Sequence, residues 1–264
     1  MPDRPERDQP DLYGADLHGA DLHGADLYGA DLYRQTPARA LAIYAHPDDP
    51  EISCGATLAR WAAAGCEVHV LVCARGEKGS SDPATDPEEL ARRRGAEMEA
   101  SGRVLGLTGR RQLGFRDGEL PDSLELRRLM VVAIRDVKPQ VVLCNDPTAV
   151  FFGDTYYNHA DHRITGWAVL DAVAPAAGNP HYFPGAGPAH QVESVFMSAT
   201  LEPNVWVEVG SAIETKIDAV LCHQSQLGEG GELFRDILLQ RAEDSGRLAG
   251  VGYAEGFRRL SLSG

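Results

Sequence analysis

The run Leu41-Ala42-Ile43-Tyr44-Ala45 is apolar throughout and ends abruptly in His46-Pro47-Asp48-Asp49-Pro50-Glu51. A short apolar run of this kind reads as a buried strand that delivers polar groups to the rim of a sheet. Gly55 and the run Ala56 to Ala64 then predict a helix that packs back on the strand. In open α/β sheets ligands bind outside the carboxyl ends of the strands, and His46 to Asp49 would stand there.

The rest of the chain keeps the same alternation, the signature of a parallel sheet with covering helices. Strands are expected at Leu41–Ala45, Glu67–Cys73 and Gln140–Cys144, with later ones at Val192–Met197 and Val205–Val209. Asp86-Pro87-Glu88-Glu89 is a helix start: an acid at the N-cap, proline at the first position and Glu three residues after the cap. That helix is expected to run to about Leu105. Others are expected at Leu124–Val137, Ile164–Val173, Ala212–His223 and Leu233–Leu248, with a proline- and glycine-bearing loop over Asn179–His190. The fold class is therefore α/β: a Rossmann-like, mostly parallel sheet covered by helices, with one catalytic domain over residues 37–264.

Upstream of that domain, residues 1–36 form a polar tail. From Asp11 to Tyr33 the sequence repeats every five residues, with Leu12, Leu17, Leu22, Leu27 and Leu32 in register. The tract resembles a pentapeptide-repeat array, and stacked repeats need neighbours to bury their apolar face. A tract this short is expected to be disordered, or ordered by docking on the main domain or a neighbouring subunit. Drift at one variable position explains His18 and His23 better than metal binding does.

A chain of 264 residues is long enough for one α/β domain with a proper core. Acidic residues outnumber basic ones 39 to 25, a net charge of −14 that argues against nucleic acid and anionic membrane as partners. The five cysteines form no CxxC pair, and Cys54, the one nearest the His-Asp stretch, is expected to pack as a small hydrophobe. No apolar run approaches the roughly 20 residues of a membrane helix. The expected location is the cytoplasm.

His46 and Asp49 stand three apart, so both can reach one point where loop turns into helix, and both are good ligands for zinc or a similar divalent ion. A Pro-Asp-Asp turn capping the next helix accounts for this stretch equally well. A second cluster, Tyr157-Asn158-His159-Ala160-Asp161-His162, breaks the tie. Two distant clusters, each with His and Asp at a helix start, together offer three metal ligands and catalytic groups besides.

Ala45-His46-Pro47-Asp48-Asp49-Pro50-Glu51-Ile52 and His159-Ala160-Asp161-His162 resemble the zinc-dependent N-acetylglucosaminyl deacetylases of the PIG-L/LmbE type. Ala74-Arg75-Gly76-Glu77-Lys78-Gly79, Leu113-Gly114-Phe115-Arg116-Asp117-Gly118 and Lys216 with His223-Gln224-Ser225-Gln226 follow in family order. The second motif more often carries Pro where this chain has Ala160. The extra Pro50 before Glu51 is similar to the bacillithiol-pathway and diacetylchitobiose branch.

The resemblance implies one Zn²⁺ per chain, with Fe²⁺ as the alternative, held by His46, Asp49 and His162 with an open position for water. A catalytic zinc lowers the pKa of its bound water to about 7. It further implies Asp48 as general base, His159 as oxyanion donor or acid toward the leaving amine, and Asp161 as the group that fixes a histidine tautomer. Arg75 and Asp117 match sugar- or acyl-contacting positions, although a surface salt bridge or turn explains them as well, and Tyr157 matches a further donor. His223 either approaches a neighbouring subunit's site or satisfies the carbonyls of its own helix end. His69 reads as structural, and His181 and His190 are set aside. The implied activity is removal of acetyl from an N-acetylglucosamine-containing small molecule by a homo-oligomer, trimer or hexamer. The alternatives are an amidase acting on a thiol-sugar conjugate or other amide, and a non-catalytic metal-binding or interaction protein.

Overall fold

The computed structural model of the chain describes residues 31–262. In chain order its elements are β1 (Arg39–Tyr44), α1 (Asp49–Ala63), β2 (Glu67–Ala74), α2 (Pro87–Val104), β3 (Gly109–Phe115), α3 (Leu124–Val137) and β4 (Val141–Asn145). A two-residue hairpin, β5 (Phe151–Phe152) and β6 (Tyr156–Tyr157), precedes α4 (Ala160–Asp171) and a π-helical turn over Ala172–Ala177. Then follow β7 (Ser194–Ser198), β8 (Val205–Glu208), α5 (Ile213–Val220), α6 (Gln224–Leu227), α7 (Gly231–Ala249) and β9 (Ala254–Ser261).

Seven strands form one sheet in the order β3-β2-β1-β4-β7-β9-β8. The first five run parallel, and β9 pairs antiparallel with both β7 and β8. β1 sits between β2 and β4, with Ala42 level with Val70 on one side and Leu143 on the other. Strand order reverses there, so the crevice beyond the carboxyl ends of β1 and β4 is the switch point where ligands bind in such sheets. The expected mostly parallel α/β fold is the one observed.

Residue parity along β1 divides the core. Ala40, Ala42 and Tyr44 pack with Leu58, Trp61 and Phe196 on one face. Leu41 and Ile43 pack with Met130, Ile134 and Val169 from α3 and α4 on the other. Cys54 belongs to this core, and all five cysteines are free. Among the described residues no helix is long and apolar enough to cross a membrane.

Four local outcomes differ from expectation. β3 and β9 were not anticipated; GRRQLGF and AEGFRRLS mix glycine and arginine into half-buried strands, so neither the alternating nor the continuous apolar pattern shows. α4 begins at Ala160 rather than Ile164, because the His159 ring accepts the Asp161 N–H and caps the helix four residues earlier. Helix α1 kinks at Cys54, and the N–H groups of Ala56 and Thr57 turn instead to the buried Glu255 carboxylate at 3.2 and 2.8 Å. The expected helix over Ala212–His223 stops at Val220, and His223 opens the short α6.

Of the repeat tract only Asp31–Tyr33 lies among the described residues, so the expected disorder or docking of the remainder falls outside them. Leu32 forms a parallel bridge with Trp206 of β8, and the Tyr33 ring packs edge-on against Phe196 at 4.9 Å.

Candidate active site

β1 ends at Tyr44, and the next two residues carry the chain to the sheet's rim, leaving His46 only 7 % exposed in the crevice. Pro47 and Asp48 then turn the chain into α1. Asp48 holds φ 100° and ψ −31°, a left-handed conformation that a residue bearing a side chain adopts only under outside constraint. Asp49 opens the helix and its carboxylate accepts the His46 N–H at 2.8 Å. From across the switch point, α4 brings Asp161 and His162 in its first turn.

Three donors converge. His46 Nδ1 lies 3.3 Å from His162 Nε2 and 3.4 Å from Asp49 Oδ2, and His162 Nε2 lies 3.2 Å from Asp49 Oδ1. Ligands on a tetrahedral zinc at about 2.0–2.1 Å stand about 3.3 Å from one another, so these spacings fit the ion. The opposite nitrogens of both rings are already engaged. His46 Nε2 faces Asp161 Oδ2 at 3.2 Å and Asp117 Oδ1 at 3.1 Å, and His162 Nδ1 meets Asn158 Oδ1 at 3.1 Å. A carboxylate or amide behind each imidazole sets which nitrogen carries the proton and leaves the inner one free to ligate. Asp161 is itself fixed by the N–H groups of Gly118 and Leu120 at 2.8 and 3.3 Å.

Electrostatics follow from this crowding. Burial opposes charging of His46, but Asp117, Asp161 and Asp49 outweigh it and hold its pKa well above the usual value. Burial likewise opposes ionisation of Asp49, and the histidines beside it hold its pKa well below the carboxylate range. Asp48 is pushed up to about 6, chiefly by burial and against the pull of Arg94. His159 is held below its ordinary value, first by lost solvation and then by His46 and His162. Its ring stands edge-on to His46 at 4.9 Å, and its Nδ1 accepts the Asp161 N–H, so Nε2 carries the proton in the neutral form.

Other expected residues stand differently. Asp117 is turned onto His46 and accepts the Lys78 N–H at 3.3 Å, so it backs the site rather than facing outward. Arg75 is engaged in a fork with Glu88 at 2.8 and 2.9 Å, the salt-bridge outcome, on the loop leading into α2. Tyr157 is 55 % exposed on the hairpin, and its hydroxyl accepts from Arg163 at 2.5 Å. His223 does not satisfy its own helix end. It is buried inside the chain with Nε2 3.6 Å from Glu51. His69 is half-buried on β2, and His190 bonds the Pro139 carbonyl at 2.7 Å.

Sequence reading missed two participants. Asn158 sits inside the quoted motif, four residues before the histidine it supports, and that i, i+4 spacing was a usable signal. Arg94, from the middle of α2, reaches Asp48 Oδ2 at 3.1 Å, and nothing in the run Arg92-Arg93-Arg94 marks which of the three turns inward.

Comparison with known proteins agrees with this geometry. Residues 41–173 match the PIG-L family, described as GlcNAc-PI de-N-acetylase, and residues 9–34 match pentapeptide repeats. The chain is 34 % identical over 226 residues to diacetylchitobiose deacetylase of Thermococcus kodakarensis, covering 83 % of this chain and 82 % of that enzyme. It is 30 % identical over 190 residues to 1D-myo-inositol 2-acetamido-2-deoxy-alpha-D-glucopyranoside deacetylase of Streptomyces avermitilis, covering 62 % of each. Among solved structures, N,N'-diacetylchitobiose deacetylase of Pyrococcus horikoshii superposes with a TM-score of 0.77 at 31 % identity, over 85 % of this chain and 84 % of that one. Fold, sequence motif and the converging His-Asp-His donors thus meet in one conclusion: the chain belongs to the PIG-L family of GlcNAc-PI de-N-acetylases.

Proposed function

We propose that this chain is a zinc-dependent deacetylase that removes the acetyl group from an N-acetylglucosamine-containing small molecule, with residues 37–264 as its catalytic domain. The observation that carries the reading is the triangle of His46 Nδ1, His162 Nε2 and Asp49, with sides of 3.2–3.4 Å and the outer nitrogens of both rings occupied. His46, Asp49 and His162 would hold the ion. The bound metal supplies Lewis acidity and an activated water.

Asp48 is the general base. It is adjacent to a ligand, so its carboxylate lies within reach of the attacking water without competing for the ion. With its pKa pushed up to about 6 it accepts a proton readily at neutral pH. Addition of water to the acetyl carbonyl places negative charge on the carbonyl oxygen, and the His159 Nε2–H is a donor toward it. The carbon–nitrogen bond then breaks, the proton taken by Asp48 goes to the leaving amine, and acetate and the free amino sugar result. Asp117 and Asp161 hold His46 in the tautomer that frees Nδ1. Tyr157, exposed on the hairpin, would contact the rest of the substrate, and Arg75 would do so on release from its fork with Glu88.

The test is acetate release by zinc-loaded protein from N-acetylglucosamine, its disaccharide and an inositol glycoside, with Asp48→Asn as control. Release that falls at least about 100-fold in the variant, with one metal retained per chain, is the expected result. Equal release by the variant at full metal loading would remove Asp48 from the chemistry. No release from any of the three would remove the amino-sugar assignment.

A further inference from the structure

We propose that Arg94 is the positioning residue of this site: its guanidinium clamps the Pro47–Asp48 turn and thereby sets the direction of the general base. The inference rests on the reading of Asp48 as that base. Arg94 is only 3 % exposed and comes from a helix 46 residues downstream. Its Nη2 donates to the Pro47 carbonyl at 2.6 Å and to Asp48 Oδ2 at 3.1 Å, and its Nη1 donates to the Gly76 carbonyl at 3.0 Å.

Two features make this more than a buried ion pair. Asp48 holds φ 100°, where a side chain crowds its own backbone, so the turn persists only if something outside it fixes the peptide. The same guanidinium nitrogen binds the carbonyl just before Asp48 and one oxygen of its carboxylate. Backbone and side chain are therefore fixed together, and Oδ1 is left for the water. The second feature is the space made for the clamp. A Cβ at Gly76 would overlap the guanidinium, and one at Gly79 would meet Nη1 at 2.5 Å and Gln226 Oε1 at 2.6 Å. The loop that begins at Arg75 is thus shaped around Arg94, which ties that loop to the base. A planar fork spans three such acceptors, whereas a lysine ammonium reaches them only as a point charge.

The experiment compares Arg94→Lys, Arg94→Gln and Gly79→Ala, reading kcat, KM, bound metal per chain and a crystal structure of Arg94→Gln. The expected result is a kcat lowered about 100-fold in the Gln variant at unchanged metal content and nearly unchanged KM, since misplacement of a reacting group by about 1 Å costs that much. Lys restores part of the loss, and Gly79→Ala, which keeps the guanidinium but displaces it, lowers kcat as well. Wild-type kcat in folded variants, or a loss that only tracks missing metal, overturns the proposal. If both Arg94 variants fail to fold, Gly79→Ala decides: kcat lowered at full metal supports the clamp, and unchanged kcat overturns it. The crystal structure separates this inference from the enzymatic reading. Asp48 leaving the positive-φ region in Arg94→Gln supports the clamp even if no substrate is turned over, and Asp48 unchanged there overturns it.

Discussion

Gly166 sits on the buried side of α4, one turn beyond His162, where the helix crosses the carboxyl end of β4. A Cβ placed there would lie 2.6 Å from the Asn145 carbonyl oxygen and 2.9 Å from Pro147 Cδ. Two effects of Gly166→Ala oppose each other. Alanine favours the helix by about 0.8–1.0 kcal/mol. Against that, the helix must retreat by about 0.8 Å from a backbone oxygen that cannot rotate away, and overpacking of this kind costs about 1–3 kcal/mol, occasionally more. The clash outweighs the gain by up to about 2 kcal/mol, and the melting temperature should fall by up to about 8 °C. The retreat also carries His162 outward, so zinc affinity measured against a competing chelator should drop about tenfold or more. Gly95 in α2 is the internal control, because a Cβ there meets nothing within 4 Å. Gly95→Ala should raise stability by about 0.4–1 kcal/mol with zinc affinity unchanged. The reasoning is refuted if Gly166→Ala melts at or above the wild-type temperature and binds zinc equally well.

Asp161→Asn removes the charge behind His46 Nε2, and zinc affinity should fall about 10–100-fold, read by metal competition. Arg135 is buried and donates to the carbonyls of Ala176, Ala177, Asn179, Tyr182, Phe183 and Gly187. Arg135→Met orphans them, so amide exchange should accelerate over residues 176–187 while β1 keeps its protection. Lys216 pairs with the buried Glu255 at 2.7 Å, and Lys216→Met should cost about 3 kcal/mol in urea unfolding, because the buried carboxylate loses its cation and keeps the Ala56 and Thr57 N–H groups.

The inner strands were legible because β1, β2 and β4 are buried on both faces and so carry apolar runs, interrupted in β2 by His69. The site motif was legible only in combination: His46-Pro47-Asp48-Asp49 alone reads equally well as a capping turn, and the second cluster at His159-Ala160-Asp161-His162 is what points to a site. β3 and β9 escaped because half-buried strands tolerate Arg110, Arg111, Arg258 and Arg259. Arg94 escaped because its role depends on which way one arginine of three points, and that is decided by the tertiary approach of α2 to the Pro47 carbonyl. Asp117 was found as a site residue but for a different reason. The family resemblance matched it to a sugar- or acyl-contacting position, and the fold turns it onto His46.

The bridge between Leu32 and Trp206 is parallel, so Asp31 to Tyr33 travel in the same direction as β8, and β8 runs in the sense of β1. Asp31 therefore stands on the side of Tyr33 nearer the end of the sheet where the parallel strands begin, the pole opposite His46 and His162. The same segment also occupies the backbone N–H and C=O of Trp206 on the outermost strand, partly blunting an edge that would otherwise invite pairing with another chain.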